Sequence, residues 1–322
     1  MNNYKLTVSH APFWHDGDSI FQMNLNILIA LLPAVIFGII QFGAPAVGVL
    51  ALSLSSAMTW EFILNIISKN KITIGDLDAA VIGLLFGMML PATSPWWLVI
   101  TGTFVAVVIG KIIFGGLGTN PFNPALLGMA FLMLSWGTFF DFDTAYVNYD
   151  FDFAAFAPLA TLKFQGVKAI SDLFTSTDLL MGRQIGGIGS TFGLGLIIGG
   201  IYLILRGYAR WEITVSFIAG IVFTAFCFNL VNSDSYAGPM VHLLSGYTLL
   251  GAFFLATEKS SSPVNKIPML LYGFFAGVMI ILMRNIGAYT DGTVLAILLF
   301  NLVNPLIDQI RPKALGKGIN NA

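Results

Sequence analysis

The feature that most constrains this chain is a series of long apolar runs separated by short polar breaks. A helix that spans a bilayer needs about 20 mostly apolar residues. Ten segments qualify or come close: 23–42, 45–67, 77–90, 95–114, 124–136, 191–205, 213–231, 240–257, 268–283 and 292–310. Composition agrees with this, since 57% of the 322 residues are hydrophobic and only 10% are charged. A soluble domain carries roughly 25% charge. A net charge of −1 offers nothing to a polyanion, so nucleic acid is excluded and the lipid bilayer is the expected surrounding. The first twenty residues lack a basic stretch followed by a short apolar core, so the first span is expected to be retained rather than cleaved.

Orientation follows from the basic residues. With the N-terminus inside, Lys5, Lys69, Lys71, Lys111, Arg206, Arg210, Lys259, Lys266, Arg311, Lys313 and Lys317 fall on the inner side. Lys163, Lys168, Arg183 and Arg284 fall outside, a ratio of eleven to four, which is the asymmetry that cytoplasmic loops show. Both termini are then cytoplasmic. The long segment 137–190, with Asp141, Asp143, Asp150 and Asp152, is external. Glu61, Lys111, Glu258 and Asp308 lie at predicted span ends, where snorkelling to the interface accounts for them.

Several chemistries are unsupported. Cys227 is the single cysteine, so neither an internal disulfide nor an iron–sulfur cluster is available, and it reads as a small core residue. Of the three histidines, His10, His15 and His242, only the last is near a span, so no pair of haem ligands exists. "GGIGSTFGLG" (186–195) is glycine-rich but lacks the strand–turn–helix setting of a dinucleotide site and reads as the entry to a span. No acid–base pair stands out, and the chain is not expected to catalyse a reaction alone.

The breaks carry more information. "GGLGTNPFNPALLG" (115–128) places glycine, proline and asparagine between two greasy stretches. These residues leave backbone groups unpaired, which hydrocarbon cannot satisfy. Irregular backbone at that depth must be buried in protein or line a cavity. An internal repeat fits such a plan. "GLLFGMMLPATSPWW" followed by "VVIGKIIFGGLGTNPFNPALLGMAFLM" parallels "TLLGAFFLATEKSSSPVN" followed by "GVMIILMRNIGAYTDGTVLAILLFNLV". Each has a helix stopping at a polar break, a second helix, a glycine-bearing break and a last helix.

The expected fold is an all-α integral membrane bundle of about ten transmembrane helices, in two inverted five-helix repeats with broken helices. Residues 1–136 hold a cytoplasmic segment and the first repeat, 137–190 the external loop, and 191–322 the second repeat and a short cytoplasmic tail. Gly115, Gly116, Gly118, Asn120 and Asn123, with Thr257, Glu258 and Lys259 of the second half, are candidates to line a ligand site. Glycine pairs at Gly83/Gly87, Gly195/Gly199 and Gly273/Gly277 have the spacing of close helix packing.

These pieces also resemble a known family. "GGLGTNPFNPALLG" is similar to the GGLGxNxFNPAxxG signature of the D subunit of Rnf complexes and of the B subunit of sodium-pumping NADH:quinone reductase. "VSHAPFWHDGDSIFQMNLNILIALLPA", "DAAVIGLLFGMMLPATSPWWL", "GAFFLATEKSSSPVN" and "GAYTDGTVLAILLFNLVNPLID" resemble further family segments in the same order, and the length suits the Rnf subunit better.

The resemblance implies a membrane subunit of a complex that couples electron transfer between ferredoxin and NAD to Na⁺ or H⁺ translocation, in the bacterial or archaeal cytoplasmic membrane. It implies as partners the A and E membrane subunits, the flavoprotein G and the iron–sulfur proteins B and C. It implies FMN held as a phosphoester on a threonine of D-x-x-[ST]-G-A-T, and, in the sodium-pumping relative, a non-covalent riboflavin.

The corresponding piece here is "SDLFTSTDLLMG" (171–182), which departs from that motif. Aligned without a gap, Asp178 takes the acceptor position, and a carboxylate cannot form the usual ester. With one residue deleted, the acceptor is Thr177, with Thr175 and Ser176 as alternatives and Arg183 placed to offset phosphate charge. Phe174 and Leu179 are expected to give the ring apolar cover. Ser176, Thr177 or Asp178 also reads as the N-cap of a helix. A second departure is "ATEKSSSP", where Glu258 and Lys259 replace the usual Asp and Pro. Two other readings stay open: a stand-alone solute channel or transporter, and a divergent scaffold or ion-path subunit without covalent flavin.

Overall fold

A computed structural model describes residues 18–69 and 73–310. His10, His15, the basic residues Lys5, Lys71, Arg311, Lys313 and Lys317, and the "VSHAPFWHDG" part of the N-terminal segment lie outside the described residues. All regular structure among the described residues is helical.

Helix α1 (Ile20–Phe42) starts at Ser19, whose hydroxyl accepts from Gln22 N while the Gln22 side chain accepts from Ser19 N, both at 3.2 Å. This reciprocal cap satisfies two otherwise orphan donors. Gly43, at φ 71°, ends α1 and lets α2 (Ala44–Ile67) begin at once. Next come α3 (Asp78–Met89), α4 (Trp96–Phe104), which continues as a π-helix over Val105–Ile112, and α5 (Pro124–Ser135). A region of short helices, including Pro158–Gln165 and Ser176–Met181, leads to α6 (Gly193–Leu205) and α7 (Trp211–Val231). Then follow α8 (Pro239–Leu244), α9 (Thr248–Leu250) running into a π-helix over Gly251–Leu255, α10 (Lys266–Asn285) and α11 (Thr293–Ile307).

Four helices, α1, α2, α7 and α10, are long and apolar enough to cross a bilayer, and shorter apolar helices accompany them. Their outward faces carry large apolar side chains such as Ile40 and Val231, each more than 70% exposed, which is the surface that lipid requires. Cys227 lies on this exposed side of α7. The expectation of a core cysteine is therefore corrected: its helix turns that face outward.

The predicted span 240–257 is not continuous. It breaks at Ser245 and Gly246, where Gly246 has φ 67° and a Cβ would overlap Asp291 Oδ2. No side chain fits there.

Close packing accounts for several glycines. A Cβ on Gly199 would overlap the Ala30 carbonyl oxygen, and one on Gly277 would overlap that of Phe217. The glycine-rich segment 186–195 leads into α6, which starts at Gly193, and its first residues form a loop. It serves the break after α3: Ile188 N donates to Leu90 O at 3.0 Å and Gly189 N to Met88 O at 2.9 Å. Those carbonyls, left without helical partners where α3 stops, are thereby satisfied.

Candidate functional site

The first break forms because α4 loosens into a π-helix and then meets glycines that the chain drives to positive φ. Gly115, Gly116 and Gly118 have φ 112°, 97° and 84°, values that side chains disfavour. A Cβ on Gly116 or Gly118 would meet no atom within 4 Å, so conformation rather than crowding demands glycine there.

The chain re-enters helix at Asn123, the N-cap of α5, whose Oδ1 accepts from Leu126 N at 3.2 Å. Its Nδ2 donates across the molecule to Leu255 O at 3.0 Å. Asn120 Nδ2 donates to Phe122 O at 3.0 Å and, at 3.5 Å, to Glu258 Oε1. The structure thus brings the break after α4 against the break after the second π-helix. The second π-helix ends at this junction and the first leads into the break that supplies Asn120, and π-bulges occur often at functional sites.

The remaining predicted residues here are held by local bonds. Glu258 accepts from Ser261 N at 2.8 Å and Ser261 Oγ at 2.5 Å. Thr257 donates back to Phe253 O at 2.7 Å, within its own turn. Lys259 is exposed, with its Nζ 5.6 Å from the Tyr208 ring centroid. Asn123 and Thr257 are buried and satisfied, whereas Gly115, Gly118, Thr119 and Lys259 face outward.

Glu61 and Lys111 do not snorkel. Lys111 is 3% exposed and its Nζ lies 2.8 Å from Glu61 Oε1 and 2.7 Å from Asp78 Oδ2. Thr73 donates a further bond to Glu61 at 2.6 Å. The expectation of interfacial charges is corrected at this pair. Tertiary packing of α2, α3 and the π-helix encloses the side chains, and burial is tolerable because the charges compensate one another.

The segment "FTSTDLL" forms the start of a short helix, and its N-cap is Thr175. Thr175 Oγ1 donates to Asp178 Oδ2 at 2.5 Å and accepts from Asp178 N at 3.2 Å. Having one proton, already given to Asp178, Thr175 accepts from Thr177 Oγ1 at 2.8 Å. Thr177 and Ser176 are exposed. Arg183 Nη1 stands 3.5 Å from Asp178 Oδ1 and is 68% exposed. The Thr175 hydroxyl and N–H, then Arg183, hold the Asp178 carboxyl below the usual carboxylate range. Phe174 and Leu179 are buried in the core, so they present little apolar surface beside Thr177.

Sequence reasoning missed a cavity of about 820 Å³ between the 140–160 segment, the 185–190 loop and the breaks that follow α8 and α10. Its walls include Phe142, Tyr146, Tyr149, Phe156, Tyr247 and Tyr289. Tyr146 donates to Gly186 O at 3.1 Å, accepts from Ala92 N at 2.9 Å and stacks on Phe42 with centroids 4.9 Å apart. Tyr247 donates to Met89 O at 2.8 Å, and its N–H donates to Asp291 Oδ2, also at 2.8 Å. Both rings are therefore pinned at their polar ends. At the rim, Asp143 accepts from Ala157 N at 2.7 Å, and burial pushes its carboxyl above the usual range. The available signal was the aromatic density of "FFDFDTAYVNYDFDFAAF".

Known proteins share this chain's sequence along nearly its whole length. Residues 7–316 match the NQR2, RnfD, RnfE family. The chain is 36% identical over 312 residues to the D subunit of the Na⁺-translocating ferredoxin:NAD⁺ oxidoreductase complex of Acetobacterium woodii, covering 96% of this chain and 94% of that one. It is 33% identical to the D subunit of the proton-translocating ferredoxin:NAD⁺ oxidoreductase complex of Clostridium ljungdahlii, covering 94% and 93%. It is 30% identical to the D subunit of the ion-translocating oxidoreductase complex of Pectobacterium atrosepticum, covering 96% and 98%. A near-complete match, with the family's glycine–asparagine signature built into the junction of two broken helices, makes this chain a multi-pass membrane member of the NQR2, RnfD, RnfE family.

Proposed function

We propose that this chain is the D-type membrane subunit of an Rnf-type complex that couples ferredoxin–NAD electron transfer to Na⁺ or H⁺ translocation. Its partners are the complex's A and E membrane subunits, the flavoprotein G and the iron–sulfur proteins B and C. The observation that carries this reading is the junction at Asn123 and Leu255, where two broken helices from different halves of the chain meet. Such junctions line ligand and ion sites in membrane proteins built from repeats.

Helix pairing supports two inverted five-helix repeats. α2 packs on α4 as α7 packs on α10, and α1 and α6, the first helices of the halves, pack on each other. The chain sits in the cytoplasmic membrane with both termini inside and the region 137–190 outside.

FMN and a second, untethered flavin are the proposed cofactors. The residues fit them in two places. Thr177 presents an exposed hydroxyl, and the exposed Arg183 guanidinium stands 3.5 Å from the carboxylate of the next residue, Asp178. The aromatic cavity has the size of ordinary ligand pockets and flat walls for a planar ring. A bound flavin supplies one- and two-electron transfer. The chain's own part is to hold the ring: Tyr146 and Tyr247 keep the walls rigid through their bonds to Gly186, Ala92 and Met89.

The test is denaturing electrophoresis of the complex under ultraviolet light, with mass spectrometry of residues 169–183 and extraction of free flavin. The expected result is a fluorescent band, an FMN-modified peptide that Thr177→Val removes, and free flavin that survives in that variant. An active complex with an unmodified peptide and no extractable flavin overturns the cofactor reading.

A further inference from the structure

We propose that Lys163, Arg284 and Asn285 form a subsite for a phosphate-sized oxyanion beside the aromatic cavity. A separate pocket of about 100 Å³ is lined by these three, by Ser235, Tyr236 and Thr290, and by two leucines. Six of its eight lining residues carry hydrogen-bond donors, and no carboxylate lines it.

The donors are set up and left over. Arg284 is 5% exposed, and its two terminal nitrogens are committed. Nη1 donates to His242 O at 2.6 Å, and Nη2 to Asp291 Oδ1 at 2.9 Å and Thr248 Oγ1 at 2.7 Å. Its Nε has no acceptor, and neither has the buried Nδ2 of Asn285, the next residue. Buried donors without acceptors are rare because desolvating them is costly. Two neighbouring ones, on residues that line one pocket, mark a missing acceptor.

Charge narrows the choice of acceptor. Asp291 compensates Arg284. Lys163 Nζ donates to the carbonyls of Gly287 and Tyr289 at 2.6 and 2.8 Å, which leaves its third proton free. No carboxylate among the described residues lies within 4.0 Å of it. Burial lowers the Lys163 pKa, as expected for a cation without a counter-charge. An oxyanion answers both the N–H groups and the Lys163 charge, with which no carboxylate among the described residues pairs.

The pocket adjoins the larger cavity, since Leu159 and Thr290 line both. A ligand that spans both would place a planar ring among the tyrosines and a phosphate on Lys163, Arg284 and Asn285. The choice of a phosphorylated flavin as that ligand rests on the proposed flavin reading, while the oxyanion subsite rests on its own residues. The remaining source is free inorganic phosphate.

The full-length chain in detergent tests this with inorganic phosphate, FMN and riboflavin as probes. Thermal unfolding is followed against phosphate, with chloride at equal ionic strength as control, and flavin binding by fluorescence quenching. Phosphate should raise the melting temperature where chloride does not. FMN should bind at least about tenfold more tightly than riboflavin, the effect of one charge-assisted hydrogen bond. Lys163→Met and Asn285→Leu should each abolish both effects, and Lys163→Arg should retain them. Asn285→Leu leaves the Lys163 bonds intact, so it stays informative if Lys163→Met fails to fold.

Phosphate stabilisation with equal FMN and riboflavin affinity supports the subsite with the free ion as its source. Phosphate stabilisation without flavin binding keeps the subsite and overturns the flavin reading of the cavity. Equal flavin affinities with no phosphate effect overturn the subsite and leave the flavin reading standing.

Discussion

Asn123 reaches from the start of α5 to the Leu255 carbonyl, 3.0 Å away at the end of the second π-helix, and so ties the two halves of the chain together at their broken helices. The same side chain caps α5 through its oxygen. One asparagine thus satisfies a helix N-terminus and a carbonyl that has left regular helix, two needs that water cannot meet inside a bilayer.

Replacing Asn123 by Leu removes both bonds. The expected loss is about 2–4 kcal/mol, from a lost cap and a buried carbonyl left unpaired. Asn123→Ser, which keeps a capping oxygen, should lose less. Asn120→Leu breaks only a loop bond and a long contact to Glu258, and should cost about 1 kcal/mol. Thermal unfolding in detergent, with flavin content measured in parallel, checks this. Lower flavin content in Asn120→Leu at unchanged stability assigns Asn120 to the ligand.

Lys111→Met should be far more damaging. It leaves Glu61 and Asp78 without their shared cation at a site where Glu61 is 2% exposed. Breaking a buried pair by removing one partner costs about 3–5 kcal/mol. Adding Glu61→Gln should recover part of that loss, because one stranded charge is removed with its partner. A double variant no more stable than Lys111→Met would show that the pair is not coupled.

Glycines in the two roles should respond differently. Gly199→Ala forces a methyl group against the Ala30 carbonyl and should separate α1 from α6 at a cost of about 1–3 kcal/mol or more. Gly116→Ala meets open space but must hold φ 97°, which costs about 1–2 kcal/mol. The first should also weaken protection from proteolysis between the halves, and the second should not. Limited proteolysis beside thermal unfolding reads both.

The cap at Thr175 should be pH-sensitive. Asp178 has a folded pKa below its unfolded value, chiefly through the bonds from Thr175 and then through Arg183. A depressed carboxylate contributes stability that is present above the unfolded pKa and is lost as pH falls through the folded one. The helix Ser176–Met181 should therefore stay capped at neutral pH and fray only in acid below the usual carboxylate range. Thr175→Val should move that transition to higher pH. Carbon-13 titration of Asp178 in the full-length chain, with and without the substitution, measures the shift.

The sequence by itself determined the apolar helices, most of the places where they stop and the family, because these depend on local composition: hydrocarbon length, helix-breaking residues and a signature read in order. It also located the exposed threonines of "FTSTDLL", since a cap signal is local, although the cap itself proved to be Thr175. Only the tertiary structure decided which breaks meet. Glu61 and Lys111 lie 50 positions apart and looked like interfacial charges until packing enclosed them with Asp78. The break at Ser245 and Gly246 was hidden inside an apolar run, and the Asp291 carboxylate that packs against Gly246 comes from a distant segment. The aromatic cavity and the leftover donors of Arg284 and Asn285 are likewise properties of what faces what. Hydropathy records whether a residue prefers water to oil; a cavity or an unsatisfied hydrogen bond exists only once separate segments share one place.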